Sequence, residues 1–355
     1  MPERWRQLAV LSLAELLALA LWFSASAVLP ALSREWGLGD GGRAGLTIAV
    51  QAGFIVGTLA SALANLPDIV SPRAVVAASA LLGALANAAF ALWADGLGSA
   101  LALRFATGAC MAGAYPPAMK IMATWFREGR GLAIGILVGA LTVGSATPHL
   151  IRGLTDLPWR HTLLAASALA VAAAALVLGF VREGPDRFPA ARFDVRMAAA
   201  VFRERAPRLA CFGYLGHMWE LYAMWAWVGV FLAESLQARG GGTYAGLNAS
   251  AATFLVIAIG ALGCWAGGAA SDRWGRTTLT IVAMALSGAC AAVIGLTFGG
   301  PPPLTLLVAV VWGITVVADS AQFSALVSEY APSDQVGTAL TFQTSLGFLL
   351  TMVTI

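Results

Sequence analysis

The chain has little charge. Of its 355 residues 11% are Asp, Glu, Lys or Arg, while 59% are hydrophobic and the mean hydropathy is +0.80. A soluble domain carries about a quarter charged residues, so a fully water-facing surface is excluded and the bilayer is the main solvent. Lysine is nearly absent, with Lys120 alone against twenty arginines. With abundant Ala, that bias reads as GC-rich bacterial codon usage. Cysteine is scarce too. Cys110, Cys211, Cys264 and Cys290 all fall inside apolar runs, without paired loop positions or metal-ligand spacing. They read as small packing residues, and neither a disulfide framework nor a metal centre is implied. Nucleotide-binding loops, HExxH, a nucleophile elbow and Cys-x-x-Cys are all missing, so no cofactor and no nucleic-acid partner is expected. The formal charge of +3 adds little. Asn248-Ala249-Ser250 fits the glycosylation pattern, a weak three-residue signal.

What is present is apolar sequence in long runs. A helix needs about 20 apolar residues to cross about 30 Å of hydrocarbon, and unpaired backbone groups are not tolerated in lipid, so each run reads as a helix. The expected spans are 8–32, 45–66, 74–94, 98–122, 131–152, 160–181, 208–233, 250–270, 278–298, 304–327 and 337–355. The first is too long for a signal-peptide core and shows no small-residue cleavage site. Turn-forming breaks separate the runs, among them Gly39-Asp40-Gly41-Gly42 and Gly299-Gly300-Pro301-Pro302-Pro303. The stretch 182–208 is the long polar segment and the natural linker. With the N-terminus inside, fourteen arginines flank the cytoplasmic side and five the outside, which sets the expected orientation.

Between spans 8 and 9 lies Gly267-Gly268-Ala269-Ala270-Ser271-Asp272-Arg273-Trp274-Gly275-Arg276. This turn resembles the Gly-x-x-x-Asp-Arg-x-Gly-Arg-Arg loop signature of the major facilitator superfamily, matched at Gly268, Asp272, Arg273, Gly275 and Arg276. Thr277 replaces the last Arg. A weaker copy between spans 2 and 3 keeps Asp68 and Arg73. The separation of Asp68 from Asp272 (272 − 68 = 204) nearly equals that of Gly131 from Gly337 (337 − 131 = 206), as an internal duplication would leave. The resemblance implies an all-α membrane protein with two pseudo-symmetric six-helix bundles around a central cavity. The expected division is a bundle at 1–182, a cytoplasmic linker at 183–207 and a second bundle at 208–355 with about five helices. A twelve-helix member has one more, so the chain is expected to be truncated or atypical. The turn itself is expected to latch the inner helix ends, with Asp68 and Arg73 as the weaker counterpart.

Ionisable groups at membrane depth cost about 2.5–3.5 kcal/mol each on insertion scales, so each is a functional candidate. They are Glu15, Arg104, His217, Glu220 and Asp319. Arg104-Phe105-Ala106-Thr107-Gly108 resembles the Arg-x-x-Gln-Gly signature of helix 4 in proton-coupled drug transporters of the superfamily, with Thr107 for Gln. Arg104, Gly108, Met111 and Tyr115 share a helical face. The bland alternative is an Arg paired with one acid to join helices. His217 and Glu220 are three apart and expected on one face. A carboxylate beside an imidazole can exchange protons near neutral pH; a hydrogen-bonded pair knitting helices is the alternative. Asp319 corresponds to Tyr115 by the same offset (319 − 115 = 204). Glu15 and Trp22 share a face seven apart, and Trp225 belongs to the aromatic wall of span 7. Gln51, Gln322 and Gln343 either bridge helices or touch substrate. In span 5, Gly135 and Gly139 flatten a packing face. Ala140 stands where antiporters of the superfamily carry Pro, and no Arg lies in spans 2 or 8 as in its nitrate carriers.

The implied function is secondary transport of a small solute across the inner membrane by alternating access, by a monomer in the lipid bilayer. Deep acids and a histidine point to proton coupling, and Arg104 to an organic anion. A drug exporter is the rival within the superfamily. A non-transporting sensor or a membrane enzyme is the rival from another class, but no long soluble stretch and no interfacial catalytic cluster supports it.

Overall fold

The computed structural model describes residues 2–64, 66–126, 129–155, 157–185, 204–330 and 336–355. The protein is all-α. Among the described residues nine helices are long and apolar enough to cross a membrane: Glu3–Trp36, Asp40–Leu63, Pro72–Trp93, Leu97–Trp125, Gly131–Leu154, Trp159–Phe180, Ala249–Ser271, Arg276–Thr297 and Pro302–Val327. Two further helices, Arg205–Ala238 and Val336–Thr354, complete the row. The first of these has 34 residues, about 51 Å of helix, so it projects beyond the hydrocarbon. Taken in chain order these are spans 1 to 11, with Arg205–Ala238 as span 7 and Val336–Thr354 as span 11. The linker expected at 183–207 lies mostly outside the described residues.

Four spans depart from the continuous helices that hydropathy predicts, span 8 by a single turn residue at Ile259 and three others by longer breaks. Span 1 breaks between Leu19 and Ser24, span 4 between Met111 and Tyr115, and span 10 between Thr315 and Ser320. In span 4 the cause is local. Tyr115 is followed by Pro116 and Pro117, which donate no backbone hydrogen and suit only the first turn of a new helix. The turns of spans 4 and 10 begin at Ala112 and Val316, and their separation (316 − 112 = 204) equals that of the two signature aspartates.

Close packing positions these breaks. A methyl group at Gly108 would overlap the Val50 carbonyl oxygen, and one at Gly53 would overlap the Phe105 carbonyl, so spans 2 and 4 meet backbone to backbone. Spans 8 and 10 repeat the arrangement through Gly263 against Ile314 and Gly313 against Val256. Span 5 runs along span 8, with Gly135 facing the Cys264 carbonyl and Gly139 facing Ala261. Near the ends of the same two helices Asn248 Nδ2 donates to the Gly153 carbonyl at 2.7 Å.

Candidate functional site

Glu15 and Arg104 lie in the first six spans, and His217, Glu220 and Asp319 in the last five. His217 sits in mid-span 7, and Asp319 is the last residue of the turn that interrupts span 10. His217 Nδ1 lies 2.9 Å from Asp319 Oδ1, and both side chains are 3% exposed or less. The other ring nitrogen, Nε2, is 2.9 Å from Ser320 Oγ. One ring nitrogen is hydrogen-bonded to Ser320 and the other lies at ion-pair distance from Asp319, consecutive residues of span 10. Tyr214 and Phe323 flank the ring, with centroids 6.2 and 5.7 Å away.

The expected pairing of His217 with Glu220 is not what forms. Glu220 Oε1 accepts from Trp312 Nε1 at 2.7 Å, and Oε2 accepts from Ser287 Oγ at 2.9 Å. It ties span 7 to spans 9 and 10. Three residues along a helix rotate a side chain by about 60°, enough here to give the two residues separate partners. Gln322 is likewise spoken for, accepting from Arg276 Nη1 at 2.7 Å.

Arg104 is fully buried, and it pairs with backbone rather than with an acid. Nη1 donates to the Leu21 carbonyl at 3.1 Å and to Ser24 Oγ at 3.3 Å, and Nη2 donates to the Trp22 carbonyl. The Leu21 carbonyl also accepts from Ser24 Oγ at 2.9 Å, so the guanidinium joins Ser24 in holding the backbone at the break in span 1. Behind it, Ser24 Oγ donates to Asn87 Oδ1 at 2.8 Å, and Asn87 Nδ2 donates to Leu163 and Ser167. Sequence reading missed Asn87, although a lone amide in the run Leu81–Trp93 was the available signal. The face expected to join Arg104 to Tyr115 ends at the break, so Tyr115 opens the second segment instead.

Glu15 is 1% exposed, and neither carboxyl oxygen has a hydrogen-bond partner. Glu15 and Trp22 do not share a face, because the break in span 1 falls between them. Trp22 instead joins an aromatic cluster that crosses the junction. Its ring is 5.1 Å from Phe54, 6.4 Å from Tyr222 and 5.7 Å from Phe348. Phe54 and Phe348 approach to 4.4 Å, and Phe23 meets Trp225 edge-on at 5.7 Å.

A family model described as Major Facilitator Superfamily matches residues 11–354. The chain belongs to the major facilitator superfamily. It is a multi-pass membrane protein and a secondary transporter, not an enzyme. Among solved structures it is similar to a bacterial homolog of the human lysosomal transporter Spinster in an inward-facing, unoccupied conformation. That match has 18% identity and a TM-score of 0.71, covering 100% of this chain and 80% of the other. It is also similar to the proton:xylose symporter XylE bound to 6-bromo-6-deoxy-D-glucose, with 15% identity and a TM-score of 0.73, over 99% of this chain and 87% of that one. At such identities the likeness carries the fold alone. No curated protein sequence matches the chain.

The superfamily's loop signature can now be placed. Gly275 adopts φ 79°, ψ 149°, between the helix ending at Trp274 and the one starting at Arg276, a conformation that favours glycine. Arg276 reaches span 10, with Nε 2.8 Å from Glu329 Oε1. Gly268 packs near the Gly131 backbone of span 5, while Arg273 is exposed. The side chains of Asp68 and Asp272 lie outside the described residues. Arg73, expected to latch with Asp68, donates from Nε to the Val177 carbonyl at 3.2 Å and from Nη2 to that of Leu178. It caps the end of span 6, where helix carbonyls attract a cation.

Proposed function

We propose that this transporter moves a small organic anion across the cell inner membrane by proton-coupled alternating access, working as a monomer with a cytoplasmic N-terminus. The observation that carries the coupling is the His217–Asp319 pair. An imidazole and a carboxylate, the two side-chain types most used to pass protons near neutral pH, lie 2.9 Å apart in the interior. The pair bridges span 7 to a helical break, the kind of irregular backbone that transporters use where two repeats meet. Glu15 is a second proton-holding group on the other half. Its carboxyl oxygens are buried and take no hydrogen bond from the protein, so a proton is the simplest partner they can hold.

The anion rests on Arg104, which has no carboxylate partner among the described residues. The test is uptake of labelled acetate, lactate and benzoate into proteoliposomes, with and without an inward-acid pH gradient. Gradient-driven accumulation of at least one acid is expected; uptake indifferent to the gradient would remove proton coupling. The aromatic cluster of Trp22, Phe23, Phe54, Tyr222, Trp225 and Phe348 favours a second reading, a proton-driven exporter of apolar drugs. A deletion strain newly sensitive to dyes and antibiotics would select it.

A further inference from the structure

On spans 1, 2 and 4, Ser12, Glu15, Trp22, Gln51, Thr58 and Arg104 carry buried polar atoms with no partner in the protein, and three of these side chains lie together. The atoms concerned are Trp22 Nε1, both amide atoms of Gln51, and Arg104 Nε. All three residues are 4% exposed or less. Buried polar atoms are nearly always paired, so a cluster of unpaired ones calls for a cause.

The three converge. Arg104 donates to the Trp22 carbonyl. The Trp22 ring packs 5.1 Å from Phe54, which lies one turn from Gln51 on the same face of span 2. Span 2 touches span 4 where Val50 meets Gly108, one turn from Arg104. Gln51 therefore belongs to the neighbourhood that holds Trp22 and Arg104. The inventory of the nest is lopsided. Trp22 offers one N–H, Arg104 one and Gln51 two, against a single acceptor, Gln51 Oε1, and the guanidinium adds a fixed positive charge. A hydroxyl or amide ligand would bring donors for which this nest has almost no acceptors. A carboxylate brings acceptors alone and the matching charge.

We infer that Trp22, Gln51 and Arg104 form the subsite for a substrate's carboxylate, with Gln51 as its specificity-determining residue and the rings of Phe54, Tyr222 and Phe348 beside it for the apolar part. This deepens the organic-anion reading and rests on it. Opening of the aromatic cluster admits the ligand, and the unpartnered donors stay unsatisfied until it arrives.

The experiment is thermal unfolding of the purified full chain in detergent at constant ionic strength. The probes are acetate, lactate and benzoate, each against its uncharged amide. At least one acid should raise the melting temperature while its amide does not. Gln51→Leu and Trp22→Phe each remove an unpartnered donor and no internal hydrogen bond. Gln51→Leu should melt at or above the parent without ligand, Trp22→Phe lower because it gives up ring packing, and both should bind the acid about tenfold more weakly, the worth of one hydrogen bond. The proposal is overturned if no acid shifts the transition or if acid and amide act alike. It is also overturned if Gln51→Leu keeps full affinity, or if that variant melts lower without ligand, since the amide would then be structural. The outcome is separable from proton coupling. Loss of selectivity for acids with gradient-driven uptake intact removes this subsite alone, and gradient-insensitive uptake with acid binding intact removes the coupling alone.

Discussion

His217 reaches Asp319 across 102 positions of sequence (319 − 217), with Nδ1 2.9 Å from Oδ1. The contact joins a continuous helix to a broken one, so any change in its charge acts on the flexible point of span 10. Asp319→Asn keeps the shape and a hydrogen-bonding oxygen but cannot release a proton. Gradient-driven uptake should fall by at least about tenfold, a coupling loss of about 1.4 kcal/mol, while exchange of internal for external substrate persists. An Asn variant that still concentrates substrate against a gradient would rule Asp319 out as the coupling group.

Arg104 should behave as a support of the site before anything else. Its two Nη atoms bind the Leu21 and Trp22 carbonyls at the break in span 1. Arg104→Gln leaves part of this set unpaired in a dry interior, a loss of about 1–3 kcal/mol for each group left without a partner. The expected readout is a clear drop in melting temperature together with reduced transport, with Lys restoring little because it cannot present the planar fork. Wild-type stability in Arg104→Gln would show that the break holds without it.

The membrane spans were legible because lipid enforces apolar composition residue by residue, and the turn at Gly275 was legible because its spacing is local. The breaks were not. Nothing between Leu19 and Ser24 is a helix breaker, and the irregular turn is held by Arg104 from another helix. The partner of His217 was hidden for the same reason. Periodicity offered Glu220, a neighbour on the same helix, whereas the actual contact required knowing how spans 7 and 10 dock. Proline was the exception, since Pro116 and Pro117 flagged the second segment of span 4.

Glu220 separates structural from coupling carboxylates. It accepts from Trp312 at 2.7 Å and Ser287 at 2.9 Å, and no basic side chain is in ion-pair range of it among the described residues. Glu220→Ala strands the indole donor and should cost about 1–3 kcal/mol of stability. The dependence of uptake on the pH gradient should be unchanged. If Glu220→Gln, which keeps an acceptor for Trp312, abolishes gradient-driven uptake as Asp319→Asn does, then Glu220 carries protons and the assignment of roles is reversed.

The glycine contacts provide the final prediction, because the two halves offer an internal replicate. At Gly108 an added methyl would overlap the Val50 carbonyl, and at Gly313 it would overlap that of Val256. Rigid backbone cannot yield as a side-chain tip can, so each Gly→Ala change should cost about 1–3 kcal/mol through overpacking. Gly288 lies in a helix with nothing within 4 Å of an added methyl. There the same substitution removes only the conformational freedom of glycine and should stabilise by about 0.5–1 kcal/mol. Melting temperatures of the three alanine variants in detergent decide the matter. Opposite signs for Gly108→Ala and Gly288→Ala, with Gly313→Ala following Gly108→Ala, would show that spans 2 and 4 and spans 8 and 10 are locked by equivalent backbone contacts. A neutral Gly313→Ala would confine that lock to the first half.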